Sequence, residues 1–174
     1  MTLIILVILI LLSGWFSGME IALFSLSSAK LRSLVLANKT NSQILQKLLN
    51  NKRRLLAIIL LGNNLVNIGA ASLATMWAIE RFGSAGVGIA TGVMTVLILV
   101  FGEMYPKAWF QINAAKMSLL FAPLVYSLQI LFFPIVFLME KVLYVLTKGA
   151  QPEIVSEKEF KALSRLAVVE GVID

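Results

Sequence analysis

The chain has 174 residues, of which 59% are hydrophobic and 14% are charged, and its formal net charge is +6. Soluble domains carry about a quarter charged residues, so this composition is typical of a membrane protein. The sequence contains neither cysteine nor histidine, which excludes disulfides, thiolate metal sites and histidine-based catalysis. Because no nucleophile, base and oxyanion hole can be assembled, we do not expect an enzyme. The polar groups that remain are oxygen ligands suited to hard cations.

Three apolar stretches are long enough to cross a bilayer, which requires roughly 20 helical residues. They lie at about 3–27, 55–79 and 87–109. The first stretch lacks the positive n-region of a signal peptide, since the first lysine is Lys30, and we expect it to be a retained span. The sequence therefore predicts an all-α membrane protein with three transmembrane helices.

The segment between the first two spans is basic. From Ser28 to Arg54 it contains seven lysines and arginines and no acidic residue. The positive-inside rule places this segment in the cytoplasm and the N-terminus outside. Leucines at helical spacing predict an amphipathic helix that packs on anionic lipid or against the bundle. A nucleic-acid partner is not expected, because the basic residues mostly flank membrane segments.

The apolar stretch 117–146 is interrupted by Pro123 and Pro134. If it crossed the membrane, residues 148–174 would lie outside, although their stretch VSEKEFKALSRLAVVEGVID has the spacing of a soluble amphipathic helix. We therefore predict that 117–146 forms a pair of interfacial or re-entrant helices, broken at the prolines, in a cytoplasmic juxtamembrane belt. The alternative is an ordinary fourth span kinked at its prolines. The transmembrane domain then covers 1–147, and 148–174 begins a cytoplasmic helical linker.

The first two spans each contain a polar cluster. Ser13 and Ser17 are four residues apart and share one helical face, and Glu20 lies near the cytoplasmic end of the first span. Asn63 and Asn67 likewise share a face, whereas the neighbouring Asn64 points about 100° away. Close helix packing through a G-x-x-x-G motif, interhelical hydrogen bonding and a solvated Glu20 are the alternatives to a binding function.

The third span contains Glu103 within the apolar run LVFGEMYPKAW, residues 99–109. A carboxylate near mid-membrane costs on the order of 2.5–3.5 kcal/mol and indicates a functional residue. In an α-helix Pro106 has no N–H for the Gly102 carbonyl four residues back, so that oxygen is open beside the carboxylate. We predict that Gly102 and Glu103 bind a cation. A proline kink with a protonated or arginine-paired glutamate is the alternative.

All of these candidate ligands are oxygen donors. Mg²⁺ takes six oxygens in near-octahedral geometry at about 2.0–2.1 Å, and hydroxyls, amides, a carbonyl and one carboxylate provide such a set. Na⁺ and Ca²⁺ also accept oxygen ligands. Ligand type alone does not distinguish the three ions.

The stretches FSGMEIALFS, LGNNLVNI and GEMYPKA, in this order and spacing, resemble the transmembrane domain of the CorC/cyclin-M family of magnesium transporters. The C-terminal VSEKEFKALSRLAVVEGVID is similar to the linker that precedes two nucleotide-binding CBS modules in that family, and those modules are absent from this chain. The resemblance implies a homodimer in the plasma or bacterial inner membrane, with three spans per protomer and an outside N-terminus. The CBS modules would then be partners within the full-length protein.

The resemblance also implies magnesium efflux in exchange for sodium, with Mg²⁺ as the substrate ion and Na⁺ as the coupling ion. The metal ligands that it implies are Ser13, Ser17, Asn63, Asn67, Gly102 and Glu103, with Glu20 and Asn64 as secondary candidates. Glu20 is a candidate for the coupling ion. Two other classes remain open at this point: a magnesium-binding sensor or anchor that transports nothing, and a magnesium channel.

Overall fold

The computed structural model describes residues 1–146, and all regular structure in that range is helical. The α-helices are α1 (Thr2–Phe24), α2 (Ser28–Leu36), α3 (Ser42–Leu49), α4 (Lys52–Phe82), α5 (Gly86–Leu97), α6 (Tyr105–Ile112) and α7 (Ala114–Leu146). A 3-10 turn, Gly83–Ala85, joins α4 to α5, and a π-helical segment, Ile98–Met104, joins α5 to α6. The all-α class is confirmed. The helix predicted within 148–174 lies outside the described residues.

Three runs of helix are long and apolar enough to cross a membrane: Thr2–Phe24, Lys52–Ile112 and Ala114–Val142. The second run has 61 residues, and it turns back at Gly83, whose φ of +65° is a conformation that favours glycine. Since α4 then packs against α5, this run supplies both the second and the third predicted span. All three predicted spans therefore correspond to helices.

The first helix, α1, packs antiparallel to α4. Near the start of α1, Leu6 shares a hydrophobic cluster with Ala70 and Ala74. Further along α1, the Phe16 ring lies on Gly62, where a Cβ would collide with it. Because the start of α1 meets the later part of α4, the two helices run in opposite directions.

The third span packs parallel to α1 through two glycines. A Cβ on Gly14 would come within 2.8 Å of Pro106 Cγ, and one on Gly18 would collide with the Phe110 ring. Both glycines are buried. The G-x-x-x-G motif of α1 therefore serves close helix packing, and it brings the backbone of the third span up to α1.

The basic segment forms two short helices, α2 and α3. The turn between them contains Asn38 and Asn41, with positive φ angles of 47° and 64°. Leu45 and Leu48 of α3 are buried in the main hydrophobic core, whereas Lys47 is exposed. The sequence predicted that this segment packs on anionic lipid or against the bundle. The apolar face of α3 packs against the bundle.

The prediction that prolines break 117–146 into two helices is wrong, because α7 continues through both Pro123 and Pro134. Pro123 has no N–H for the Leu119 carbonyl four residues back. The side chain of Asn41 supplies this donor, with Nδ2 3.0 Å from the Leu119 oxygen. A neighbouring side chain thus satisfies the carbonyl and the helix continues. The interfacial position of α7 stays a prediction.

The approach of α5 to α4 depends on Gly86, where a Cβ would collide with the Ala78 carbonyl. Because backbone cannot move aside as a side chain can, we expect Gly86→Ala to lower the stability by about 1–3 kcal/mol. The matched control is Gly88→Ala, since a Cβ on Gly88 would meet no atom within 4 Å. Thermal unfolding in detergent should show a lower midpoint for Gly86→Ala only, and equal midpoints would contradict the packing described.

Candidate functional site

The Ser13 hydroxyl lies where α1 meets both neighbouring spans. Ser13 Oγ is 3.3 Å from Asn63 Oδ1 and 3.4 Å from the Gly102 carbonyl oxygen. All three residues are buried. Since a hydroxyl carries one hydrogen, it donates to only one of these oxygens at a time. The Ser13 hydroxyl, the Asn63 amide oxygen and the Gly102 carbonyl oxygen therefore lie close together. Of these three oxygens, only the Ser13 hydroxyl carries a hydrogen to donate.

Asn67 extends this cluster by one turn of α4. Its Nδ2 is 3.5 Å from Asn63 Oδ1. Its own Oδ1 is buried and has no hydrogen-bond partner among residues 1–146. A buried acceptor left without a donor costs about 1–3 kcal/mol. The amide of Asn67 therefore presents an oxygen that needs a positively charged or hydrogen-bonding partner.

The Ser17 hydroxyl is a second buried oxygen without a hydrogen-bond partner among the described residues. It lies one turn after Ser13 on the same face of α1 and is fully buried. In the described part of the chain, Ser17 Oγ has no hydrogen-bond partner. Ser17 thus lies next to the cluster without being bonded to it.

The third span meets α1 through the π-helical segment Ile98–Met104. In this i→i+5 register the Tyr105 N–H bonds to the Val100 carbonyl. Pro106 accordingly leaves the Phe101 carbonyl, five residues back, without its donor. That oxygen faces α1, because it would lie 2.9 Å from a Cβ on Gly14.

The π-helical bonding before Pro106 differs from the α-helical bonding that the sequence predicted there. We predicted that Pro106 frees the Gly102 carbonyl, which assumed α-helical i→i+4 bonding. The Gly102 oxygen does face the cluster, but through its contact with Ser13. Phe101 was not among the predicted residues, and no pattern in the sequence marks the change of register. Two successive carbonyls of the third span therefore face α1.

Glycine is required at position 102 for this geometry. A Cβ there would lie 2.7 Å from Ser13 Oγ, which is closer than the two atoms can approach without a shift. Glu103 follows directly and is half-buried. Within residues 1–146 no hydrogen bond or ion pair holds its carboxylate, so the arginine-paired alternative is not observed there. Among the described residues, Glu103 thus carries an unpaired carboxylate one residue after Gly102.

The two secondary candidates lie outside the cluster. Glu20 Oε2 is 3.4 Å from Lys107 Nζ, and both side chains are partly exposed. Asn64 is exposed, on a face of α4 turned away from the buried Asn63. The structure therefore brings together Ser13, Asn63, Asn67 and Gly102. Ser17 lies one turn from Ser13 on α1, and Glu103 is the residue after Gly102 in the chain. Glu20 pairs with Lys107 instead, and Asn64 is exposed.

The donor set is neutral except for one carboxylate. No group of three or more histidine, cysteine, aspartate or glutamate side chains that could hold a metal ion occurs among the described residues. Soft or borderline metals that require such ligands are therefore poorly matched to this cluster. Hydroxyl, amide and carbonyl oxygens beside one carboxylate suit a hard cation, and the unbonded oxygens of Ser17 and Asn67 fit one.

A family model described as the cyclin M transmembrane N-terminal domain matches residues 4–174. The chain belongs to this family. The resemblance drawn from the three motifs is thereby confirmed. With helices long enough to span a bilayer, the cyclin M domain described here is a membrane domain.

Relatives of this cyclin M domain occur in several bacteria. It is 42% identical over 136 residues to a UPF0053 protein of Haemophilus influenzae, covering 78% of this chain and 32% of the relative. It is 37% identical over 146 residues to the UPF0053 inner membrane protein YfjD of Escherichia coli, covering 83% and 34%. It is 34% identical over 167 residues to the UPF0053 protein sll1254 of Synechocystis, covering 96% and 48%. The domain thus spans from a third to a half of the length of these relatives, whose names state no transported ion.

Asn63 holds the cluster together, because its Oδ1 accepts from both Ser13 and Asn67. We expect Asn63→Ala to lower the unfolding free energy by about 1–3 kcal/mol, since it leaves buried polar groups without partners. Asn64→Ala is the matched control and should have a small effect, because Asn64 is exposed. Denaturant unfolding in detergent without added magnesium measures both, and equal losses would contradict the assignment.

Proposed function

We propose that this cyclin M domain transports magnesium out of the cell and binds Mg²⁺, its substrate, where α1 meets α4 and the third span. The observation that supports the proposal is the pair of buried, unbonded oxygens on Ser17 and Asn67 beside the Ser13 contacts. Glu103, the residue after Gly102, adds a carboxylate that is half-buried and unpaired within residues 1–146. This combination suits a hard divalent cation better than it suits a purely structural helix contact.

The carboxylate and the neutral oxygens have different roles in this proposal. Glu103 provides the negative charge that makes binding of a divalent ion favourable in an apolar environment. Ser13, Ser17, Asn63, Asn67 and the Gly102 carbonyl provide neutral donors that replace part of the ion's water shell. Mg²⁺ gives up its water reluctantly and usually retains several molecules, so the ion does not require every one of these groups at once.

Transport also requires a site that opens to either side of the membrane. The glycine contacts at Gly14 and Gly18 let α1 lie directly on the third span, and no side chain of these two residues resists a small relative movement. We propose that rocking of α1 against the third span exposes the ion alternately to the two sides. The expected result of this motion is movement of Mg²⁺ across the membrane, which flux in proteoliposomes measures.

Several finer features belong to the same proposal. We propose exchange for Na⁺, a homodimer, and a location in the inner membrane with the N-terminus outside. The basic α2–α3 segment supports this orientation through the positive-inside rule, and the name of the Escherichia coli relative places that protein in the inner membrane. In a full-length protein, CBS modules would follow the linker and act on the domain from the cytoplasm.

Glu103 is expected to be necessary for magnesium binding. In Glu103→Gln the shape is retained and the charge is lost, so Mg²⁺ should no longer raise the thermal midpoint of the purified chain. The matched control is Glu80→Gln, since Glu80 is exposed at the end of α4 and its loss should leave the magnesium effect intact. A Glu103→Gln protein that is stabilised by Mg²⁺ like the parent would refute this site.

Flux in proteoliposomes separates transport from binding alone. The parent should move Mg²⁺ when an opposing Na⁺ gradient is present, and Glu103→Gln should abolish that flux. Mg²⁺ movement that needs no counter-ion would indicate a channel instead. If the parent binds Mg²⁺ and shows no flux under either condition, the result favours a magnesium sensor or a requirement for the cytoplasmic modules.

A further inference from the structure

Lys107 is paired with one carboxylate and follows a second one by four residues along its own span. Its Nζ is 3.4 Å from Glu20 Oε2 on α1, and the side chains of Lys107 and Glu20 are 38% and 25% exposed. Glu103 precedes Lys107 by four residues, which is about one helical turn. A glutamate followed four residues later by a lysine is the favoured order for an ion pair along a helix. One ammonium group thus has two possible partners.

The present partner of Lys107 is held only weakly. Ion pairs between partly exposed side chains contribute little, because water competes for both charges. The lysine side chain is a flexible four-carbon stem with three rotatable donors. An exchange of partners therefore requires only rotations within the side chain and no movement of a helix.

Glu103 needs a counter-charge whenever no cation is bound. A carboxylate within a membrane span is unfavourable unless a positive group neutralises it, and Glu103 has no ion pair among residues 1–146. Both carboxylates are half-buried, but Glu103 follows Gly102 at the level of Ser13. Glu20 lies seven residues after Ser13, near the end of α1, and is therefore closer to the water beyond the end of the span. The two carboxylates therefore differ in how much each needs the lysine.

We propose that Lys107 exchanges between these carboxylates and thereby sets the magnesium affinity. While Mg²⁺ is on Glu103, Lys107 pairs with Glu20 and its positive charge is kept away from the ion. When the ion has left, Lys107 pairs with Glu103 and neutralises the empty site. Glu20 is then a positioning residue that acts through Lys107 and is not itself a ligand. The inference rests on the proposed function, because it takes Glu103 as the residue that binds the ion.

A double-mutant cycle in the purified full chain tests the exchange, with Mg²⁺ titrated by calorimetry. Glu20→Gln removes the partner that holds Lys107 away from Glu103, so the apparent affinity should fall by about two- to fivefold, the factor that a weak, partly exposed ion pair provides. Lys107→Gln removes the competitor and should bind Mg²⁺ more tightly than the parent. The double variant Glu20→Gln/Lys107→Gln should match Lys107→Gln, because Glu20 acts only through the lysine.

The control variant is Lys116→Gln, which removes the same charge from an exposed lysine that pairs with neither carboxylate. It should bind Mg²⁺ like the parent. If Lys116→Gln and Lys107→Gln change the affinity equally, a general effect of net charge explains both and the exchange is refuted. Circular dichroism and size-exclusion profiles establish that each variant folds. Should Glu20→Gln not fold, Lys107→Gln still decides, since a loss of affinity in that variant overturns the proposal.

Two other outcomes would also refute the exchange. A double variant as weak as Glu20→Gln would make Glu20 a direct ligand, and an unchanged affinity in Glu20→Gln would make the ion pair purely structural. Glu103→Gln, measured in the same titration, distinguishes this failure from failure of the proposed function. If Mg²⁺ binds without Glu103, both are wrong; if binding requires Glu103 and ignores Glu20, only the exchange is wrong.

Discussion

Every polar group that α1 brings into the apolar part of the bundle has to find a partner there, because hydrocarbon supplies none. Ser13 satisfies this constraint through Asn63 on one side and the Gly102 carbonyl on the other, and these contacts fix the level at which the three spans meet. Ser17 and Asn67 are not satisfied within the described residues. The same constraint therefore accounts both for the register of the helices and for the position of the candidate cation site.

The backbone is as important to this site as the side chains. A π-helical segment and a proline leave the Phe101 carbonyl without its helical donor, and the adjacent Gly102 carbonyl contacts Ser13. Both oxygens reach α1 only because Gly14 and Gly102 lack side chains at the points of contact. A backbone carbonyl cannot be removed by substituting the side chain of its own residue. The positions of these two oxygens therefore depend on the neighbouring glycine and proline residues.

The sequence predicted what depends on local patterns. Hydrophobic length located the three spans, and four-residue spacing placed Ser13 with Ser17, and Asn63 with Asn67, on common helical faces. The resemblance to the family implied that these residues form one set. The prediction from sequence failed where distant residues take part: at Pro123, where α7 continues, the donor for the Leu119 carbonyl comes from Asn41, 78 residues from Leu119 along the chain. The π register, which shifts the carbonyl without a helical donor from Gly102 to Phe101, has no mark in the sequence, and the partner of Glu20 lies on another helix.

The contacts of Ser13 also imply an order of assembly. Asn63 is 50 residues from Ser13 along the chain, and Gly102 is 89 residues away. In a chain synthesised from its N-terminus, the hydroxyl and the amide are therefore both present before the carbonyl has been made. Ser13 and Asn63 can pair as soon as α4 enters the membrane, which protects two polar groups from lipid. The arrival of the third span then adds the Gly102 carbonyl to this pair.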